Sequence, residues 1–188
     1  MKIWKRVFQH KFHLSPRRFA TLYVAIVLSV TLVSFVAYGA GYRFNLSPSV
    51  PRGLWKVGKS NEQTERPQRD GYVTVALEGN PGYQLAVDRG YLVSPMSMLK
   101  RIVGVEGDFV SYDVCEKAVT VNGSCVVMTQ ILSQDTEGRA MPSASFPMWL
   151  QKYQVWLSSE NIRGYDSRYF GPVSSDFLRK ATPIWVFR

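Results

Sequence analysis

The sequence predicts a mostly β domain carried behind one N-terminal transmembrane helix. Residues 19–42 contain no charged side chain, and basic residues crowd in front of them. Beyond residue 42 the readable elements are short runs of β-branched and aromatic residues separated by turn residues, with no sustained helical period.

The uncharged run from Phe19 to Tyr42 exceeds the roughly 20 apolar residues that cross a bilayer core. Residues 1–18 carry Lys2, Lys5, Arg6, Lys11, Arg17 and Arg18 and no acid, which is +6 of the chain's formal +9. Such a basic arm stays in the cytoplasm, so the expected topology is a single-pass membrane protein with its C-terminal part exported. A cleaved secretory signal is the alternative, since Ala37, Gly39 and Ala40 are small. Against it, the apolar run is longer than the roughly 7–15 residues of a signal h-region. The expected plan is therefore a basic arm over 1–18, a transmembrane helix over 19–42 and an exported domain over 43–188. With the arm set aside the chain is nearly charge-balanced, which argues for a lipid bilayer as partner and against nucleic acid.

Within the exported part, Tyr72–Leu77, Phe109–Tyr112 and Val119–Val121 read as strands. Asn122-Gly123 is a two-residue hairpin turn leading into Cys125–Met128. Tyr153–Leu157 and Ile184–Phe187 read as later core strands, and Asp176–Lys180 as one short helical turn. Ser60–Asp70 is a polar loop, and residues 133–148 a long loop or small appendage. Phe146, Met148 and Trp149 either fill the core or dip into the membrane surface.

Both histidines, His10 and His13, fall in the basic arm. The exported domain therefore has neither a Ser-His-Asp triad nor a Cys-His pair, and no zinc or other cofactor is expected. Its chemistry must rest on Ser, Lys, Tyr or carboxylates. Cys115 and Cys125 are a disulfide candidate in an oxidising compartment, with two unpaired thiols as the alternative. If Asn122-Gly123 makes the turn, Cys125 faces about Thr120, and Cys115 must fold back from a preceding turn to reach it.

Three segments can carry chemistry. In Asn45–Trp55, Pro48 and Pro51 stiffen the backbone on both sides of Ser49, although a Ser/Pro-rich run after an anchor also reads as a linker. In Met98–Asp108, apolar Leu99, Ile102 and Val103 can draw Lys100 inward, where burial favours the neutral amine that serves as a base. Arg101 stays protonated and cannot take that role. A strand-edge Lys-Arg pair with both heads in solvent is the competing picture. In Tyr165–Pro172, Asp166 and Arg168 can pair, or Asp166 can simply open a turn.

In this order, anchor, Ser-x-Pro, Lys-Arg…Gly-Asp and Asp-Ser-Arg-Tyr-Phe-Gly-Pro, the chain resembles the bacterial signal-peptidase superfamily. The run Ser49-Val50-Pro51-Arg52-Gly53-Leu54-Trp55, with Arg89-Gly90-Tyr91-Leu92, is similar to the conjugative-transfer, TraF-type branch, whose members mature pilin precursors. The resemblance implies an antiparallel β core with a small β insert at roughly 109–150. It implies Ser49 as nucleophile, Lys100 as general base, Asp166 and Arg168 as supports of the site, and Ser47 as an oxyanion-hole candidate. The implied reaction is acyl transfer at the leader of a pilin precursor, with hydrolysis or cyclisation of the product both open. Conjugation-machinery proteins are the implied further partners. A general leader peptidase and a non-enzymatic anchored channel component are the rival functions. Gly164 departs from the leader peptidases, which place there a serine that holds the lysine, and Ser158-Ser159-Glu160-Asn161 departs from their Gly-Asp-Asn run.

Overall fold

The computed structural model describes residues 15–59, 67–75, 81–93 and 96–187. The arm up to residue 14, most of the expected polar loop (60–66) and the end of the first expected strand (76–77) lie outside the described residues. Two compact units divide between Ala40 and Gly41.

Among its described residues the first unit holds one helix, α1 (Pro16–Gly39), long and apolar enough to cross a bilayer, which fits a membrane anchor or a signal sequence. Proline suits its first turn because the N–H it lacks would have no helical partner there. The hydroxyls of Thr21 and Thr31 donate to the carbonyls of Arg17 and Val27, so neither needs water. The helix takes in Arg17 and Arg18 and stops before Tyr42, so its limits differ from the uncharged stretch 19–42. Apolar composition alone does not separate helix from strand. Gly41, at φ 91°, makes the break and turns the chain into β1 (Tyr42–Asn45).

The second unit is built on two antiparallel sheets. The larger has the order β1-β2-β11-β3-β4-β9-β10. Its further strands are β2 (Arg52–Val57), β3 (Tyr72–Val75), β4 (Met98–Gly104), β9 (Gln154–Ser158), β10 (Val173–Ser174) and β11 (Leu178–Phe187). The smaller, β7-β6-β5-β8, is made of β5 (Phe109–Asp113), β6 (Ala118–Val121), β7 (Ser124–Cys125) and β8 (Met148–Trp149). It is the expected β insert between β4 and β9. Its hairpin turns at Asn122-Gly123, with φ of 52° and 79°, the left-handed conformations a two-residue turn demands.

Period-two alternation decides which β4 side chains enter the core. Met98, Lys100 and Ile102 are buried on one face, while Leu99 and Arg101 are half-buried on the other. Met98 and Ile102 join Val73, Val75, Leu157 and Leu178 in the main core. Helix α2 (Pro81–Asp88) adds Tyr83 and Ala86 to it. At eight residues this helix is too short to show a period in the sequence.

The structure changes two readings and decides between the alternatives left open in two others. Ile184–Phe187 does extend β11, but its side chains are exposed rather than in the core. Residue pairs Trp185↔Leu54 and Val186↔Gly53 place this end against β2, where Gly53 lets the backbones touch. A Cβ on Gly53 would lie 2.2 Å from the Trp185 carbonyl oxygen. The expected helical turn shortens to a 3-10 turn, Ser175–Phe177, because the chain must already be extended at Leu178 to pair with Val75. Phe146 and Met148 pack on the core of the smaller sheet, while Trp149 is exposed and lies against Phe109. Cys115 and Cys125 are exposed and unbonded. Cys125 does face Thr120, but Cys115 sits in the turn beyond the Asp113↔Ala118 pair.

Candidate active site

Ser49 lies in the loop that joins β1 to β2. Asn45 is the strut of this loop: its amide donates to the carbonyls of Ser47, Val50 and Pro51 at 3.0, 3.3 and 3.2 Å. Its side-chain oxygen accepts the Ser47 N–H at 3.1 Å. Trp55 donates its indole N–H to the Pro51 carbonyl, and Val50 is buried beside Trp55 and Ala181. The two prolines therefore act within a loop already fastened at several points.

Around Ser49 itself, the backbone N–H donates to Ser47 Oγ at 3.2 Å, and the Ser47 hydroxyl donates to Ser49 Oγ at 2.9 Å. The Ser49 carbonyl accepts the Glu160 N–H at 2.7 Å and the Ser159 hydroxyl at 3.2 Å. The hydroxyl of Ser47, the expected oxyanion-hole candidate, is thus spent on Ser49 Oγ while its oxygen accepts the Ser49 N–H.

Lys100 pairs across to Val73 on β3, and its neighbours Arg101 and Ile102 pair to β9, so it stands on an interior strand and is 3% exposed. Arg101, on the opposite face, meets Asp70 at 2.7 Å. Burial is the largest influence on the Lys100 amine and lowers its pKa; Asp166 raises it and Arg168 lowers it, leaving it at about 8. Ser49 and Lys100 line one cavity of about 1010 Å³, with Tyr91, Asp135 and Tyr165 also in its wall. No hydrogen bond joins the two; Ser49 Oγ is bonded to Ser47 instead.

Asp166 and Arg168 are fully buried and paired. The carboxylate takes Arg168 Nε at 2.8 Å and Nη2 at 2.9 Å, a two-point grip that fits the planar guanidinium. The remaining Arg168 donors hold the carbonyls of Gln130, Ile162 and Gly164 at 2.6, 3.0 and 2.7 Å. Asp166 also caps α3 (Ser167–Phe170) and accepts the Ser159 N–H at 2.8 Å. The Asp-Ser-Arg run is therefore a junction of loops, and its charges reach Lys100. The Gly-Asp part of the other motif is a separate joint: Asp108 binds Arg69 at 2.7 and 2.8 Å and Asn122 at 2.8 Å.

The long 133–148 loop contributes to the cavity wall through Ser133, Asp135 and Met141. Asp135 accepts from the Tyr91 hydroxyl and from Arg139, with Arg89 alongside. Burial pushes its carboxyl up, but these hydrogen bonds outweigh it and hold the pKa well below the usual range. Neither cysteine lines the cavity. Among the described residues no three His, Cys, Asp or Glu side chains gather in a metal-binding group.

Sequence reasoning named Ser47, Ser49, Lys100, Asp166 and Arg168, and the structure clusters them as described. It missed Asn45, Ser159 and Glu160, whose roles arise from backbone contacts. The signal available was the Ser158-Ser159-Glu160-Asn161 departure, which marks the segment without saying what it touches.

An antiparallel β scaffold with a serine in a stiffened loop and a buried lysine in the same cavity defines a signal-peptidase-like protein. Residues 16–185 match the family model for signal peptidase, peptidase S26, and the chain belongs to that family. Conjugal transfer protein TraF of Agrobacterium fabrum is 32% identical over 155 residues, covering 78% of this chain and 84% of that protein. Plasmid transfer protein TraF of Escherichia coli is 31% identical over 174 residues, covering 87% and 94%. Among solved structures, signal peptidase I of Enterococcus faecalis V583 superposes with a TM-score of 0.36 at 17% identity, over 66% of this chain and 98% of that one.

Proposed function

We propose that this chain is a membrane-anchored serine endopeptidase that removes the leader of a pilin precursor during conjugation, using Ser49 as nucleophile and Lys100 as base. The observation that carries the reading is a buried amine with a pKa of about 8 in the cavity that holds Ser49. Near neutral pH a usable fraction of Lys100 is neutral and can accept the Ser49 proton once that hydroxyl turns from Ser47. Ser49 then adds to the scissile carbonyl. The mature pilin's amine leaves with a proton returned by Lys100, and water hydrolyses the leader–Ser49 ester, which frees the leader and restores the Ser49 hydroxyl. The names of the TraF relatives support the conjugative setting.

In this reading α1 anchors the chain in the inner membrane with the basic arm in the cytoplasm and the β unit in the periplasm. The anchor ties the chain to the membrane in which a membrane-embedded precursor presents its cleavage site. Tethering both partners raises their effective concentration.

The test is mass spectrometry of a co-expressed pilin precursor. Ser49→Ala and Lys100→Ala should each leave it uncleaved while the variant protein still accumulates in the membrane. A mature product one water short of the linear mass would show instead that Ser49 had held the pilin's own carboxyl side and passed it to the pilin's amino terminus, the cyclising outcome. Normal processing by Ser49→Ala would reject the dyad, and accumulation of many exported precursors on loss of the chain would favour a general leader peptidase.

A further inference from the structure

Gly164 lines the cavity but brings no side chain to it. A Cβ built there would lie 2.0 Å from Ser159 Oγ and 2.2 Å from Ser159 Cβ. The two positions thus compete for one volume, and Ser159 fills it, 1% exposed. From that place the Ser159 hydroxyl and N–H make three hydrogen bonds. Its hydroxyl donates to the Ser49 carbonyl at 3.2 Å and accepts the Asn161 N–H at 3.2 Å, and its own N–H donates to Asp166 Oδ2 at 2.8 Å.

We propose that Ser159 is a positioning residue for Ser49, linking it to the buried Asp166–Arg168 pair, and that residue 164 must be glycine because Ser159 occupies its side-chain space. The inference rests on Ser49 being the nucleophile. The carbonyl that Ser159 holds belongs to the Ser49 peptide, so fixing it fixes the backbone torsion that aims the hydroxyl. The Glu160 N–H at 2.7 Å holds the same oxygen from the same turn. Arg168 clamps the carbonyls of Asn161, Ile162 and Gly164, which keeps that turn in register with Asp166. A rigid path therefore runs from the buried ion pair through the 159–161 turn to the serine. Ser159 is not in the cavity wall and acts through the backbone of Ser49, so its loss should misaim the hydroxyl and slow the chemical step without weakening substrate binding.

The experiment uses the purified full-length chain in detergent with a purified pilin precursor as substrate. Ser159→Ala should lower kcat about fivefold to tenfold, the worth of one hydrogen bond. KM and the midpoint of the pH profile should be unchanged, and the melting temperature should confirm folding. Ser159→Gly and Gly164→Ser should each be impaired on its own. In Ser159→Gly/Gly164→Ser the clash is gone, and kcat should exceed the product of the two single effects by at least tenfold. Full activity of Ser159→Ala, a loss confined to KM, or purely multiplicative effects in the double variant would each overturn the proposal. The Ser49→Ala control separates the failures: if that variant still cleaves, the nucleophile assignment has failed, whereas an inert Ser49→Ala beside a fully active Ser159→Ala leaves the dyad standing and removes only Ser159.

Discussion

Replacing Lys100 by methionine removes an amine whose burial the fold opposes, while keeping a flexible side chain of similar volume on the same face of β4. The ordinary lysine pKa of 10.5 falls to about 8 in the folded chain. A drop of that size corresponds to about 3 kcal/mol of unfavourable differential interaction with the ammonium. The folded chain binds fewer protons at this position than the unfolded chain between pH 8 and 10.5, so this group makes stability rise with pH across that window. Its cost is full below about pH 8 and gone above 10.5. Lys100→Met should therefore be more stable than the parent at pH 6–7, by about 2–3 kcal/mol after small packing losses, or roughly 5–10 °C in melting temperature. The assay is thermal melting of both proteins in detergent at matched pH values, so that other titrating groups cancel. The advantage must shrink as pH rises past 8. A variant no more stable than the parent at pH 6, or a difference independent of pH, would refute the argument that the amine is held against its hydration preference.

The same electrostatics predicts a pH–rate profile and the effects of the buried pair. Cleavage should rise with pH through an apparent pKa near 8 as Lys100 loses its proton. Asp166→Asn removes the charge that raises this pKa and leaves Arg168, which lowers it, so the rising limb should move to lower pH, measured by initial rates across pH 5–10. Arg168→Lys keeps the charge but loses the two-point grip on Asp166 and most of the carbonyl contacts, so denaturant melts should show a loss of about 3 kcal/mol or more.

Some residues were legible because their local chemistry is restrictive. Asn122-Gly123 announces its own turn, since few other residues accept the left-handed conformations found there. Ser49 between two prolines and Lys100 among apolar neighbours could be singled out from their flanks. By contrast β1, β2 and α2 are short or mixed in polarity, and their identity depends on partners far away in the chain. Ile184–Phe187 shows the reverse error: an apolar strand was recognised, but where it pairs beside β2 both of its faces are exposed.

The order of the motifs and the types of the candidate groups were thus determined by the sequence: an uncharged stretch behind a basic arm, then serine, lysine and the aspartate–arginine run. Only the tertiary structure decided that Lys100 is interior, because that depends on β3 and β9 flanking β4 on either side. Only it decided that Ser159 takes the space beside Gly164 and reaches the Ser49 carbonyl. The reason is physical: a residue's type and flanks fix its local conformation and available chemistry, whereas desolvation and hydrogen-bond partners are set by segments that meet only when the chain folds, such as residues 49 and 159.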